Sequence, residues 1–98
     1  MFRLKAYGIA GDKYLVYDEP TNSVTLGQKD GESEIFSFTT IDHSAGFTIV
    51  NRKAIQVHGL DGGHGYEDVR LCYKDGNLGF YKKSALPDDT LALWVTFF

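Results

Sequence analysis

Residues 68–83 read DVRLCYKDGNLGFYKK. Apolar and polar side chains alternate on both sides of Asp75-Gly76. A two-residue type I′ turn needs positive φ at both central positions, which Asp and Gly tolerate. With Asp75-Gly76 at the tip, Tyr73 faces Leu78 and Leu71 faces Phe80. Both pairs then fall on one apolar face, whereas a one-residue slip would turn one strand's apolar set outward. Turn chemistry and hydrophobic pattern therefore specify the same β-hairpin.

The rest of the chain reads the same way. Eleven glycines and two prolines break the sequence into short apolar runs, the pattern of many short strands. About nine are predicted, at 2–7, 13–18, 23–27, 34–41, 47–51, 53–58, 68–74, 77–83 and 90–98. Alternation predicts the core sets Phe2, Leu4 and Ala6; Phe36 and Phe38; Phe47 and Ile49; Ile55 and Val57; Val69, Leu71 and Tyr73; and Leu91, Leu93, Val95 and Phe97. So many short strands with such regular turns make an all-β domain, a barrel, sandwich or trefoil.

The 98 residues fit one domain. Seven Phe, six Tyr and one Trp supply its core. The net charge of −3 and the scattered basic pairs, Arg52-Lys53 and Lys82-Lys83, leave no basic face for nucleic acid. A single cysteine, Cys72, excludes an internal disulfide. It lies beside Gly79 in the predicted hairpin and reads as structural, with no base nearby in sequence. No apolar run approaches the ~20 residues of a membrane span, and residues 1–8 lack the apolar core of a signal peptide. A cytoplasmic location is expected, non-classical export being compatible with it.

An internal repeat is also expected. Residues 24–31, VTLGQKDG, share Val, Leu, Lys, Asp and Gly with residues 69–76, VRLCYKDG. Lys13-Tyr14-Leu15 aligns with Lys53-Ala54-Ile55, and Phe2-x-Leu4 with Phe47-x-Ile49 and Leu91-x-Leu93. Repeat one would span about 2–41, repeat two about 47–83, with a terminal strand at 90–98.

The stretch GDKYLVYD at 11–18, followed by SVTLGQ, SEIFSF and GFTIVN, resembles one unit of a β-trefoil protein of the ricin-B-like or fascin-like kind. Gly11, Lys13, Tyr14, Leu15, Val24, Leu26, Phe36 and Phe38 carry the resemblance. The family's Gln-x-Trp signature is replaced by Glu34-Ile35-Phe36, and only two units and a terminal strand are visible. The expected architecture is thus β-trefoil-like, or a two-repeat β-barrel or sandwich. The βγ-crystallin arrangement is second, its aromatic-x-Gly strand signature being missing. The resemblance further implies sugar-binding positions after the KYL strand, Asp18 in the first unit and His58 in the second.

The residues themselves point to one loop. Residues 59–68, GLDGGHGYED, form the longest predicted connection and hold four glycines. No Gly-Lys-Ser/Thr run follows it, no helix is expected to start after it and its charge is acidic, so it is not a phosphate loop. Asp61, His64, Tyr66 and Glu67 offer hydroxyl acceptors, a donor and a flat apolar face, the mixture a sugar needs. The spacing of His43, His58 and His64 matches no metal site, and no cofactor is expected. The carboxylate pairs Glu67-Asp68 and Asp88-Asp89 suit turns. The expected function is non-enzymatic: a carbohydrate-binding lectin taking glycans or glycoproteins. The alternative is a protein-interaction module such as a protease inhibitor or cytoskeletal binder, and a small hydrolase using loop carboxylates ranks third. The terminal strand LALWVTFF is apolar on both faces, which predicts a homo-oligomer formed through it.

Overall fold

The computed structural model describes residues 1–9, 11–40, 46–58 and 69–96. They form β1 (Lys5–Ala6), β2 (Lys13–Asp18), β3 (Ser23–Gly27), β4 (Phe36–Thr40), β5 (Phe47–Asn51), α1 (Arg52–His58), β6 (Val69–Lys74), β7 (Asn77–Lys82) and β8 (Leu91–Ala92). A 3₁₀ turn, Lys83–Ala85, lies between β7 and β8. The chain is mostly β, in small antiparallel sheets ordered β1-β2-β3, β4-β5 and β7-β6-β8.

The hairpin at Asp75-Gly76 has the expected register, with Tyr73 opposite Leu78 and Leu71 opposite Phe80. Its two turn residues have φ of 52° and 83°, as a type I′ turn requires. In the β2–β3 hairpin Leu15 pairs with Leu26 and Tyr17 with Val24. Backbone bonds then join the sheets. Phe2 bridges Phe36 of β4, and Phe47 of β5 bridges Val95 just after β8. β1 pairs with β2, and the β2–β3 turn meets β7 through Asn22. The elements thus succeed one another in a circuit, and at the β3–β7 seam no ladder forms among the described residues, Asn22 at the β2–β3 turn meeting the Phe80 N–H and Gly79 instead. Inside it lie Tyr17, Phe36, Ala54, Val69 and Phe80, one each from β2, β4, α1, β6 and β7.

Several expectations are corrected. Residues 53–58 are helical, not a strand. Asn51 explains why: its Oδ1 accepts the Ala54 N–H at 3.1 Å, an N-cap contact that starts a helix. Ala54 and Ile55 are then buried and Val57 exposed, a helical face rather than an alternating one. The strand at 2–7 shrinks to Lys5–Ala6 plus the Phe2 bridge, and of the strand at 90–98 the described residues show Leu91–Ala92 plus the Val95 bridge, 97–98 lying outside them. Leu4, Phe38, Tyr73 and Leu91 are exposed although the alternation placed them in the core. Conversely, Thr48 and Val50 are more deeply buried than Phe47 and Ile49. Arg70 and Cys72 are buried as well, because β6 is the middle strand of its sheet and also packs beside β5.

The shared V-x-L-x-x-K-D-G octapeptide folds in two ways. Asp75-Gly76 turns a hairpin, whereas Asp30 begins a loop of its own. There Asp30 Oδ1 accepts the N–H groups of Glu32 and Ser33 at 2.9 and 2.7 Å, and Oδ2 accepts the Ser33 hydroxyl at 2.8 Å. Likewise α1 stands where alignment with the first half would put a counterpart of β2.

Candidate functional site

Residues 19–22 connect β2 to β3. Asn22 closes this turn with a left-handed φ of 47° and an N–H bond of 3.1 Å to the Glu19 carbonyl, a conformation Asn tolerates better than most residues. Its side chain then points inward. Asn22 Oδ1 accepts the Tyr17 hydroxyl at 2.8 Å and the Phe80 N–H at 3.2 Å. A β-carbon at Gly79 would lie under 3.0 Å from the Asn22 carbonyl oxygen, so only glycine permits this approach.

The Tyr17 hydroxyl also lies 2.8 Å from His58 Nε2. Its one proton goes to Asn22, so the phenol oxygen accepts from a protonated Nε2, which leaves Nδ1 as the ring's acceptor. The Tyr17 ring meets the rings of His58 and Phe80 edge-on, at centroid separations of 6.1 and 5.6 Å. Burial pushes Tyr17 up to about 12, helped by the negative charges of Glu19 and Asp18. His58 is held below its ordinary value by burial and by Lys82, against an opposing pull from Glu19. Tyr17 therefore keeps its proton at neutral pH, and His58 is neutral there.

On the solvent side of the same turn, Asp18 Oδ2 accepts the Thr21 hydroxyl at 2.5 Å, and Thr21 Oγ1 lies 2.6 Å from Ser23 Oγ. One end of the domain thus presents a carboxylate, two hydroxyls and the Glu19 carboxylate on the β2–β3 turn, together with the His58 ring. Val69, which begins β6, packs in the same core cluster as Tyr17 and pairs with Lys82. His58, the last described residue before position 59, thus touches Tyr17, and Val69, the first after position 68, shares its core cluster.

Of the expected site residues, Asp18 and His58 belong to this end. Asp61, His64, Tyr66 and Glu67 lie outside the described residues, as does His43. Tyr17, Asn22 and Gly79 organise the end and were not anticipated. Positive φ at Asn22 was legible in Pro20-Thr21-Asn22, a turn-forming run, but its contact with β7 spans 58 residues. The Cys72 thiol is raised by burial, only partly offset by Arg70 and a Tyr81 backbone contact, so it stays protonated at neutral pH. Among the described residues no group of three or more His, Cys, Asp or Glu could hold a metal ion. Nor is any helix there long and apolar enough to cross a membrane. No family model matches the sequence, and no curated protein or solved structure matches it either.

Proposed function

We propose that the domain is a non-enzymatic carbohydrate-binding module whose site is the end formed by the β2–β3 turn, the last residue of α1 and the connection 59–68. The observation that carries it is the contact between Tyr17 and His58. It brings the neighbourhoods of Asp18 and His58, assigned from sequence to two separate units, to one place. A sugar presents several hydroxyls at fixed angles and needs directional acceptors and donors that do not themselves move. The Asp18, Thr21 and Ser23 side chains supply such groups, and the Tyr17–Asn22–Phe80 contacts hold their backbone rigid. In this proposal Asp61, His64 and Glu67 add polar contacts and Tyr66 stacks on the apolar face of the ring.

The finer fold belongs to the same proposal. The circuit of neighbouring strands supports a closed, barrel-like arrangement, of which the β-trefoil is one form. The test is a glycan array and then titration of the best ligand. Asp18→Ala, Asp61→Ala and Tyr66→Ala should each weaken binding by roughly 1–3 kcal/mol, the scale of a lost buried partner, with unchanged far-ultraviolet circular dichroism. Absence of saturable glycan binding would end the proposal.

A protein-interaction role is the second reading, and β8 favours it. Leu93 and Val95 spend their backbone groups on Leu71 and Phe47. Alternation turns those of Ala92 and Trp94 to the opposite edge, and Leu91 and Trp94 are 63% and 54% exposed. Self-association through this edge would give a dimer that Trp94→Lys converts to monomer in analytical ultracentrifugation. A wild-type monomer at high concentration would remove it.

A further inference from the structure

At the other end of α1 from His58, a cavity of about 190 Å³ is lined by Met1, Phe2, Arg3, Gly31, Ile35 and Arg52. We propose that it binds a small monocarboxylate with an apolar body, its carboxylate held by Arg52 and Arg3.

Charge decides the class of ligand. Glu34 is fully buried next to the cavity, and its oxygens are already engaged. Oε1 accepts the N–H groups of Asp30 and Gly31 at 3.2 and 2.8 Å. Oε2 accepts the Gly31 N–H at 3.3 Å and Arg3 Nε at 3.4 Å. Burial pushes the Glu34 carboxyl up, but its own N–H, those of Gly31 and Asp30, and Arg3 together outweigh this and keep it ionised. Glu34 is therefore not free to neutralise Arg52. Arg52 instead makes weak contacts, Nη1 with the Gly31 carbonyl at 3.4 Å and Nη2 with the Met1 sulfur at 3.0 Å. A thioether is a poor acceptor, so a guanidinium with five donors lines an open cavity with most of them uncommitted. The lining itself carries the Arg3 and Arg52 guanidiniums and no carboxylate, and Glu34 beside it has its oxygens engaged, so the cavity favours an anion. A monocarboxylate brings the least negative charge next to buried Glu34, whereas a phosphate dianion brings twice as much.

Shape and lining decide the rest. Met1, Phe2 and Ile35 form the apolar part of the wall, and Ile35 is buried beneath it. A cavity of about 150 Å³ suffices for benzene, so about 190 Å³ accommodates a benzoate-sized molecule or a short branched fatty acid. A flat planar carboxylate also matches the two-pronged donor geometry of Arg52.

The experiment is a ¹⁵N-resolved NMR titration of the full chain with benzoate, with benzamide as its neutral counterpart and with inorganic phosphate. Benzoate should shift the amides of Arg3, Gly31, Ile35 and Arg52 saturably, with Kd on the order of 1 mM or tighter. Benzamide and phosphate should bind at least about tenfold more weakly. Arg52→Gln should weaken benzoate about tenfold or more while leaving the remaining spectrum in place. Arg52→Lys, which keeps the charge but loses the fork, should fall between the two. Phosphate binding as tightly as benzoate would overturn the monocarboxylate assignment. Benzoate binding unaffected by Arg52→Gln, or no saturable shift at these residues, would overturn the site.

Discussion

Two glycines in one hairpin separate two kinds of backbone constraint. Gly76 has φ of +83° and open space where a β-carbon would stand. Gly76→Ala meets only the left-handed penalty, about 1–2 kcal/mol for an L-residue. Gly79 carries no such φ, but its added β-carbon would lie under 3.0 Å from the Asn22 carbonyl oxygen and 3.4 Å from Asn22 Nδ2. The obstructing atom is backbone, held by the Asn22-to-Glu19 turn bond, so it cannot swing aside. Overpacking of this kind costs about 1–3 kcal/mol. If Asn22 moves off, the Phe80 N–H and the Tyr17 hydroxyl also lose their acceptor, adding about 1–3 kcal/mol for groups left unpaired in the core. Gly79→Ala should therefore lose about 2–6 kcal/mol, a large share of a domain's usual 5–15 kcal/mol. Urea denaturation monitored by Trp94 fluorescence, with the slopes compared, gives both values. A Gly79→Ala midpoint at or above that of Gly76→Ala would refute the close approach of the β2–β3 turn to β7.

Substitutions at three other positions probe the neighbouring contacts. Asn22→Ala should cost about 2–4 kcal/mol, two lost bonds and a strained φ, while Asn22→Asp keeps one acceptor oxygen and should cost less by the same denaturation assay. Asp30, held down to about 2 by the Ser33 and Glu32 N–H groups and the Ser33 hydroxyl, contributes stability that is full above its ordinary value near 3.8 and lost as pH falls through about 2. Asp30→Asn should flatten thermal melts across that window, and an unchanged pH profile would count against the loop contacts. His58 has the reverse chemistry with the same sign: its folded value lies below the ordinary 6.5, so stability is full above pH 6.5 and declines as the imidazole is forced to charge below it. His58→Gln should remove that decline in melts taken on both sides of pH 6.5.

The β6–β7 hairpin was legible down to its register because two local signals, positive φ at Asp75-Gly76 and period-two alternation, had to agree. α1 was not, because Ile55 and Val57 also alternate, and seven residues are too few for the helical period to declare itself. The cap was present in Asn51-Arg52-Lys53-Ala54, but it decides only once Ile35 and Ser33 are in place to accept the Arg52 N–H and the Asn51 side-chain amide at 2.9 and 2.8 Å. The two Lys-Asp-Gly turns show the same limit: the residues after the glycine choose between a hairpin and a side-chain-capped loop. Asp18 and His58, singled out from the sequence, lie at one end of the domain, but the Tyr17–Asn22–Gly79 knot that joins their neighbourhoods was not legible. It joins residues far apart in sequence, and no local pattern encodes such a meeting.

The contact between Asn22 and Phe80 also has a consequence in time. Each two-stranded unit closes locally, on a scale of about 1–10 μs for a hairpin, yet such a ribbon alone is barely stable in water. What makes the β2–β3 and β6–β7 ribbons mutually supporting is a bond across a separation of 58 residues, whose closure must be met before it returns any stability. The ribbons should therefore flicker early and independently, and lasting order should wait for the turn at Asn22 to dock on Gly79. If docking belongs to the folding nucleus, Asn22→Ala slows refolding; if it comes after the barrier, the same substitution hastens unfolding instead. Stopped-flow refolding of that one variant locates the moment at which the two ribbons dock.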